Sequence, residues 1–103
     1  MLLTKTDMKT MRKRAGEAAA MMRTLSHESR LLVLCELVSG ERSAGELVAS
    51  SGLSQSALSQ HLAKLREEGL VTTRREGQMI FYSIGDARAE EILEVLHSIY
   101  CRK

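Results

Sequence analysis

Two cysteines, Cys35 and Cys101, are the side chains of this 103-residue chain best suited to nucleophilic or redox chemistry. A cysteine thiolate attacks electrophilic sulfur, binds soft metals and forms disulfides. Each residue also fits a simpler role, since Cys35 follows the apolar run "LLVL" and would pack as a small hydrophobe, while Cys101 would be an incidental exposed thiol. No Cys-x-x-Cys motif, nucleotide-binding loop or recognisable acid–base pair accompanies them. A thiol enzyme such as a sulfur carrier is therefore the weakest alternative.

A metal site is a second use for these thiols. His97 and Cys101 are four residues apart and share one face of a predicted helix, and Cys35 would supply a third ligand. Zinc takes four protein ligands in structural sites, or three and a water molecule in open ones. We predict no bound metal and no cofactor, and these three residues define the unusual metal site that the sequence leaves open.

Polar side chains also gather in the first two turns of a helix predicted to start at Ser54. Serine and glutamine both donate and accept hydrogen bonds, which reading base edges in the major groove of DNA requires. Basic residues further along suit phosphate contacts. The predicted DNA contacts are Gln55, Ser56, Ser59, Gln60, His61 and Lys64 on this helix, with Arg74 and Arg75 on the hairpin that follows. Any one of these residues also fits an ordinary solvated surface, so the prediction depends on their combination.

Periodic apolar residues predict five helices, with a β-hairpin before the last one. The predicted stripes are Met8, Met11, Ala15, Ala18 and Met22; Leu31, Leu34, Cys35 and Val38; Leu58, Leu62 and Leu65; and Ala89, Ile92, Leu93, Leu96 and Ile99. Predicted N-terminal caps are Ser26, Ser43, Ser54 and Asp86, and predicted glycine stops are Gly40 and Gly69. The hairpin strands "LVTTRR" and "QMIFYSI" flank Glu76-Gly77, the expected tight turn.

Two short helices joined by a glycine-containing turn and followed by a basic hairpin are typical of a winged helix-turn-helix. The predicted fold is mainly α with a β-hairpin wing, in one domain of residues 1–103 in which residues 1–7 form a flexible arm. The net charge of +2 is uninformative by itself, and no apolar run is long enough to span a bilayer. Without a visible secretory signal, we expect a cytoplasmic protein whose thiols stay reduced.

Three segments together resemble the ArsR/SmtB family of bacterial winged-helix repressors. They read "LSHESRLLVLCEL", "SAGELVASSGLSQSALSQHLAKLREEGLV" and "RREGQMIFYSI", and the resemblance covers roughly residues 15–101. It implies a homodimer built on the first and last helices, whose paired recognition helices read a palindromic operator in double-stranded DNA. Glu28 stands where relatives often have proline, which alters a helix start without affecting the assignment.

Many members of this family sense metals, but the ligands of the two familiar sites are missing here. Ser43 and Gly45 stand where the family's metal motif has two cysteines in the third helix. The other site begins Asp-x-His on the last helix, and here Arg88 occupies the histidine position after Asp86. Ile99 stands where that site needs a second histidine. The resemblance therefore does not extend to metal sensing.

The two cysteines, with "LLVLC" and "LHSIYC" around them, are similar to those of the BigR/SqrR-type branch of the family, which includes HlyU-like proteins. Members of that branch sense persulfides and related reactive sulfur. The resemblance implies that Cys35 and Cys101 close a bridge containing extra sulfur atoms within one protomer, with persulfide or polysulfide donors as inducers, and that the operator is then released. A metal sensor or general oxidant sensor on the same scaffold is the alternative.

Overall fold

The computed structural model describes residues 3–102, which form five helices and three strands. In chain order these are α1 (Lys5–Leu25), α2 (Glu28–Val38), β1 (Arg42–Ser43), α3 (Ala44–Ser51), α4 (Gln55–Glu67), β2 (Val71–Glu76), β3 (Met79–Ile84) and α5 (Ala87–Tyr100). Helices α3 and α4 are the helix-turn-helix, and β2 and β3 are the wing. The predicted winged-helix fold is confirmed, with one additional short strand, β1.

Helix α1 begins earlier than the sequence suggested. The Thr4 hydroxyl accepts a hydrogen bond from the Asp7 backbone N–H at 3.0 Å, and the Asp7 carboxylate accepts one from the Thr4 backbone N–H at 2.9 Å. This capping box satisfies backbone donors that the first helical turn leaves unpaired. The prediction of a flexible arm over residues 1–7 is therefore wrong for residues 4–7, and residues 1–2 lie outside the described part of the chain.

Three of the four predicted caps are confirmed. The side chains of Ser43, Ser54 and Asp86 accept hydrogen bonds from backbone N–H groups in the first turns of α3, α4 and α5. The prediction for Ser26 is wrong, because this residue ends α1 and its hydroxyl donates to the Arg23 carbonyl at 2.7 Å. His27 precedes α2 instead, without a side-chain capping bond.

The sheet is antiparallel, with strand order β1-β3-β2. Glu76 pairs with Met79, so the two turn residues are Gly77 and Gln78, one position later than predicted. Gly77 has φ +61°, a left-handed conformation that glycine adopts without steric penalty. Strand β1 was not predicted, because its two residues are too few to show the alternation of apolar and polar side chains that indicates a strand.

The apolar core lies among α2, α3, α4, α5 and the sheet. Its buried members are Leu25, Val33, Leu34, Leu37, Leu47, Leu58, Leu62, Leu65, Leu70, Val71, Ala89 and Leu93. Helix α1 contributes buried residues only from its last turn, where Thr24 and Leu25 are covered. Cys35 was expected on the buried face of α2, but it is exposed, because that face is centred on Val33, Leu34 and Leu37.

Candidate DNA interface and cysteine pair

The start of α4 presents a polar surface. Ser54 caps the helix by accepting from the Ala57 backbone N–H at 3.1 Å, which fixes where the first turn begins. Burial of Leu58, Leu62 and Leu65 then fixes the rotation of the helix about its axis. The opposite face exposes four of the predicted contact residues, namely Gln55, Ser56, Ser59 and Gln60. These side chains are free to donate and accept hydrogen bonds outside the domain.

His61, also a predicted contact, lies apart from this group. Its ring is half-buried, and the centroids of the His61 and His27 rings are 4.7 Å apart. Burial lowers the pKa of His61, and the neighbouring His27 and Arg30 lower it further. The structure thus places the His61 ring between α4 and the start of α2, beside His27.

Lys64 is exposed as predicted, but it is already paired. Its ammonium lies 3.2 Å from the Glu68 carboxylate, and Glu68 also accepts a hydrogen bond from the hydroxyl of Thr24 at the end of α1. The Thr24 bond and Lys64 hold the pKa of Glu68 below its usual range. The Thr24–Glu68 link was missed from the sequence, since 44 residues separate its partners and no local pattern connects them.

The two arginines of the wing differ in their surroundings. Arg74 donates to the Glu41 carboxylate at 2.6 to 3.2 Å and to Glu76 at 2.7 Å, and its guanidinium carbon lies 4.5 Å from the centre of the Phe81 ring. These carboxylates raise the pKa of Arg74 and keep it fully charged. Arg75 is exposed and has no ion pair within residues 3–102.

A groove of about 470 Å³ separates α4 from the wing. Its lining consists of Ser59, Leu62, Ala63, Arg66, Glu67 and Tyr82. Arg75 shares the Tyr82 face of the sheet, because Thr73 pairs with Tyr82 and side chains two residues apart on a strand point the same way. Arg75 is therefore on the face of the sheet that borders this groove. Arg66, an exposed basic residue of α4, also lines this groove.

The two cysteines lie on packed helices. Cys35 is on α2, Cys101 directly follows α5, and α2 packs against α5. Both thiols are exposed and unbonded. Partial burial raises the pKa of Cys35, and charge on the nearby Cys101 thiol raises it further. The fold therefore places two exposed thiols, 66 positions apart in the sequence, on or directly after helices that pack against each other.

The unusual metal site receives no support from the arrangement of these side chains. Within residues 3–102, no group of three or more histidine, cysteine, aspartate or glutamate side chains is placed to hold a metal ion. The His97 backbone carbonyl accepts a hydrogen bond from the Cys101 N–H at 2.9 Å, which ends α5. His97, Cys101 and Cys35 thus do not form a three-ligand cluster.

Comparison with known proteins places this geometry in a family. Residues 27–73, from the start of α2 into β2, match the family described as bacterial regulatory protein, arsR family. The transcriptional activator HlyU of Vibrio cholerae is 43% identical over 96 residues, which cover 93% of this chain and 89% of HlyU. The chain belongs to the arsR family. Its named relatives are transcriptional regulators. Like them, this chain is a transcriptional regulator and not an enzyme.

The relatives extend along nearly the whole chain. The biofilm growth-associated repressor of Xylella fastidiosa is 46% identical over 99 residues, covering 96% of this chain and 84% of the repressor. The structure of BigR from Xylella fastidiosa matches with a TM-score of 0.87 at 44% identity, over 98% of this chain and all of that one. Reduced HlyU from Vibrio cholerae gives a TM-score of 0.86 at 44% identity, over 91% and 99% of the two chains. The regulator therefore falls in the HlyU/BigR-like branch.

A more distant structure shares the fold. The winged helix-turn-helix DNA-binding domain of Mb0332 from Mycobacterium bovis, described as homodimeric, matches with a TM-score of 0.74 at 28% identity, over 85% of this chain and 83% of that one. Among residues 3–102, no helix combines the length and the hydropathy that crossing a bilayer requires.

Proposed function

We propose that this ArsR-family regulator is a homodimeric repressor that binds palindromic operator DNA and releases it when reactive sulfur joins Cys35 to Cys101. One observation carries the sensing part of the proposal. Packing of α2 against α5 puts two exposed thiols near enough for charge on one to raise the pKa of the other. Two accessible thiols carried by packed helices suit a small sulfur donor that reacts with both.

DNA binding is supported by the surface that α4 and the wing share. The exposed serines and glutamines at the start of α4 have the donor and acceptor groups needed for base edges. Arg75 and the groove beside α4 suit contact with the sugar–phosphate backbone. The Mycobacterium bovis domain of the same fold is described as DNA-binding, which agrees with this use of the surface.

Dimerisation is supported by apolar residues that the subunit itself leaves uncovered. Helix α1 exposes Met8, Met11 and Met22, and α5 exposes Val95, Ile99 and Tyr100. A cleft of about 550 Å³ between these helices is lined largely by apolar side chains, including Met11, Met22 and Ile92. A second subunit packed through α1 and α5 would bury this surface. It would also set the two copies of α4 at a fixed spacing, which a palindromic operator requires.

The sulfur chemistry proceeds by thiol exchange. The thiolate of one cysteine attacks a polysulfide, a sulfur–sulfur bond of the donor breaks, and the leaving sulfur departs as a thiolate. The second cysteine then attacks the protein-bound chain and expels a second thiolate, closing a bridge that retains the inner sulfur atoms. The two protein thiols are oxidised and the donor is reduced by the same two electrons. A plain disulfide requires Cα atoms within about 7 Å, whereas a longer sulfur chain spans a wider gap.

Operator binding before and after polysulfide exposure tests the proposal. A duplex is first selected from a random-sequence library by the reduced protein, and half-sites about 10 base pairs apart, or a multiple of that, are expected. Polysulfide should then weaken binding by roughly 5- to 150-fold, the usual range of allosteric coupling. Mass spectrometry should show an intramolecular bridge with added sulfur. Equal affinity before and after treatment would rule out sensing.

Two single variants serve as matched controls. Cys35→Ser and Cys101→Ser should each bind the operator like the unmodified protein and keep their affinity after polysulfide, because neither can close the bridge. Peroxide and zinc test the alternatives on the same scaffold. Release by peroxide as readily as by polysulfide indicates an oxidant sensor, and zinc retained through gel filtration indicates a metal sensor.

A further inference from the structure

Arg74 of the wing is bound by two carboxylates, those of Glu41, which directly precedes β1, and of Glu76 on its own strand. Its Nε donates to both Glu41 carboxylate oxygens at 3.2 and 3.0 Å, and one of its terminal nitrogens donates to the same carboxylate at 2.6 Å. The other terminal nitrogen donates to Glu76 at 2.7 Å. We call Glu41, Arg74 and Phe81 the wing clasp.

The wing clasp spans the width of the sheet. Arg74 stands on β2 and pairs in register with Phe81 on the central strand β3, whose ring lies under its guanidinium. Glu41 directly precedes the outer strand β1, whose Ser43 pairs with the same Phe81. The side chain of Arg74 therefore crosses β3 and joins the two outer strands, which make no backbone pairing with each other.

The clasp lies on the opposite face of the sheet from α4. Successive side chains on a strand point to opposite faces, so Arg74 and Arg75 point apart. Arg75 shares the face of Tyr82, which lines the groove beside α4, whereas Arg74 shares the face of Phe81. Of the two arginines, only Arg75 is directed toward the proposed DNA surface.

The charge of Arg74 is already balanced where it stands. Arginine binds carboxylates through a planar fork of N–H groups, and this fork is occupied by Glu41 and Glu76. To bind Arg74, a DNA phosphate would have to displace two carboxylates from the guanidinium. Arg74 also lies on the face of the sheet that is turned away from α4. Arg75 has no such competitor within the described residues.

We propose that Arg74 is a positioning residue, which holds the wing against the segment that follows α2 by way of Glu41, and that Arg75 is the phosphate contact of the wing. The proposal rests on the proposed DNA-binding function. It changes the role of Arg74, which the sequence analysis predicted to contact DNA in the same way as Arg75. Glu41 follows the last residue of α2 by three positions, so the clasp fixes the wing relative to the helix that carries Cys35.

The salt dependence of operator binding tests the two arginines separately. Each phosphate contact adds about 0.9 to the slope of log affinity against log salt concentration. Arg75→Gln should lower that slope by about this amount. The double variant Glu41→Gln/Arg74→Gln removes one charge of each sign and preserves the net charge. It should keep the wild-type slope, while affinity falls about two- to fivefold, as expected for loss of an exposed ion pair.

Two results would overturn the assignment. If the double variant lowers the slope as Arg75→Gln does, Arg74 contacts phosphate and the clasp opens on DNA. If Arg75→Gln leaves the slope unchanged, Arg75 is not the phosphate contact. Circular dichroism melting of both variants checks that the wing and core stay folded.

A measurement on the free protein separates this inference from the proposed function. In ¹⁵N NMR spectra the Arg74 Nε–H should exchange with water more slowly than the Arg75 Nε–H, and Glu41→Gln should abolish the difference. This result holds even if the reduced protein binds no duplex, in which case the DNA-binding function fails while the clasp stands. Equal exchange of the two groups in the unmodified protein would contradict the clasp itself.

Discussion

The two ends of the molecule differ in how much of their apolar surface the chain itself buries. At the helix-turn-helix end, α2, α3, α4 and the sheet bury a continuous set of leucines and valines and present polar side chains outward. At the other end, the first and last helices, α1 and α5, leave methionine, isoleucine and tyrosine side chains exposed. The first end buries most of its apolar side chains within a single chain, although Leu32 and Met79 stay exposed, whereas most of the exposed large apolar side chains lie on α1 and α5. The difference teaches that the core is built mainly by the central segment from α2 to β3 with one side of α5, whereas the exposed apolar surface lies on α1 and on the other side of α5.

The largest expected effect is the loss of a core leucine at the helix-turn-helix end. Leu65 of α4 is 0% exposed, so Leu65→Ala should lower the free energy of unfolding by about 2–5 kcal/mol. Met11 of α1 is 48% exposed, and Met11→Ala should change the unfolding of the diluted subunit by less than about 0.5 kcal/mol. Urea denaturation at several protein concentrations measures both. Similar losses in the two variants would remove the distinction between the ends.

Two glycines sharpen the comparison. A Cβ atom on Gly85 would lie 2.7 Å from the Thr72 side chain and 3.2 Å from the Gly69 carbonyl oxygen, so Gly85→Ala should destabilise the protein by about 1–3 kcal/mol. Gly16 in α1 has open space around it, and Gly16→Ala should stabilise the helix by about 0.5–1 kcal/mol. Thermal melts of the two variants should therefore shift in opposite directions. A shared direction would contradict the packing described for one of them.

Loss of a helix cap should lower the stability of the protein by a smaller amount. Ser54 accepts a hydrogen bond from the Ala57 N–H at the start of α4, and Ser54→Ala should lower stability by about 1 kcal/mol. Ser26 only donates to a carbonyl at the end of α1, so Ser26→Ala should stay within about 0.5 kcal/mol of the unmodified protein. Chemical denaturation compares the pair. An equal loss would mean that Ser26 caps α2 after all.

The smallest effect concerns the ionisation of Cys35. Its pKa is raised above the usual 9.0, first by burial and then by the neighbouring Cys101 thiol. Alkylation of Cys35 by iodoacetamide should therefore increase with pH through a midpoint above that value. Cys101→Ser removes the second contribution and should move the midpoint slightly downward, leaving the larger contribution of burial in place. An unchanged midpoint would indicate that the two thiols lie too far apart to interact.

Local sequence patterns were sufficient for most of the fold. Ser43, Ser54 and Asp86 cap helices as predicted, because a cap depends on residues within one turn. The apolar spacing of Leu58, Leu62 and Leu65 placed the polar face of α4 correctly outward. The exposed surface of that helix, which the proposed DNA contact requires, follows from the same spacing.

Contacts between distant residues could not be predicted in this way. Glu41 and Arg74 are 33 positions apart, and nothing near either residue indicates the other. The same holds for His27 and His61, whose rings meet only because α2 and α4 pack together. Cys35 was assigned to the wrong face of α2 because an apolar run on all sides leaves the rotation of a helix undetermined. The packing of α2 against α5, the helices that carry Cys35 and precede Cys101, likewise follows from the fold and from no local pattern, and the sequence pointed to this pair only through the family resemblance.

Helix α1 runs for 21 residues, yet its fully buried residues, Thr24 and Leu25, both lie in its final turn. Helices in proteins owe most of their stability to packing of an apolar face, and here the partner subunit would provide that packing. The helical content of α1 should then depend on protein concentration, so that dilution would fray this helix from its free end before the remainder of the domain unfolds.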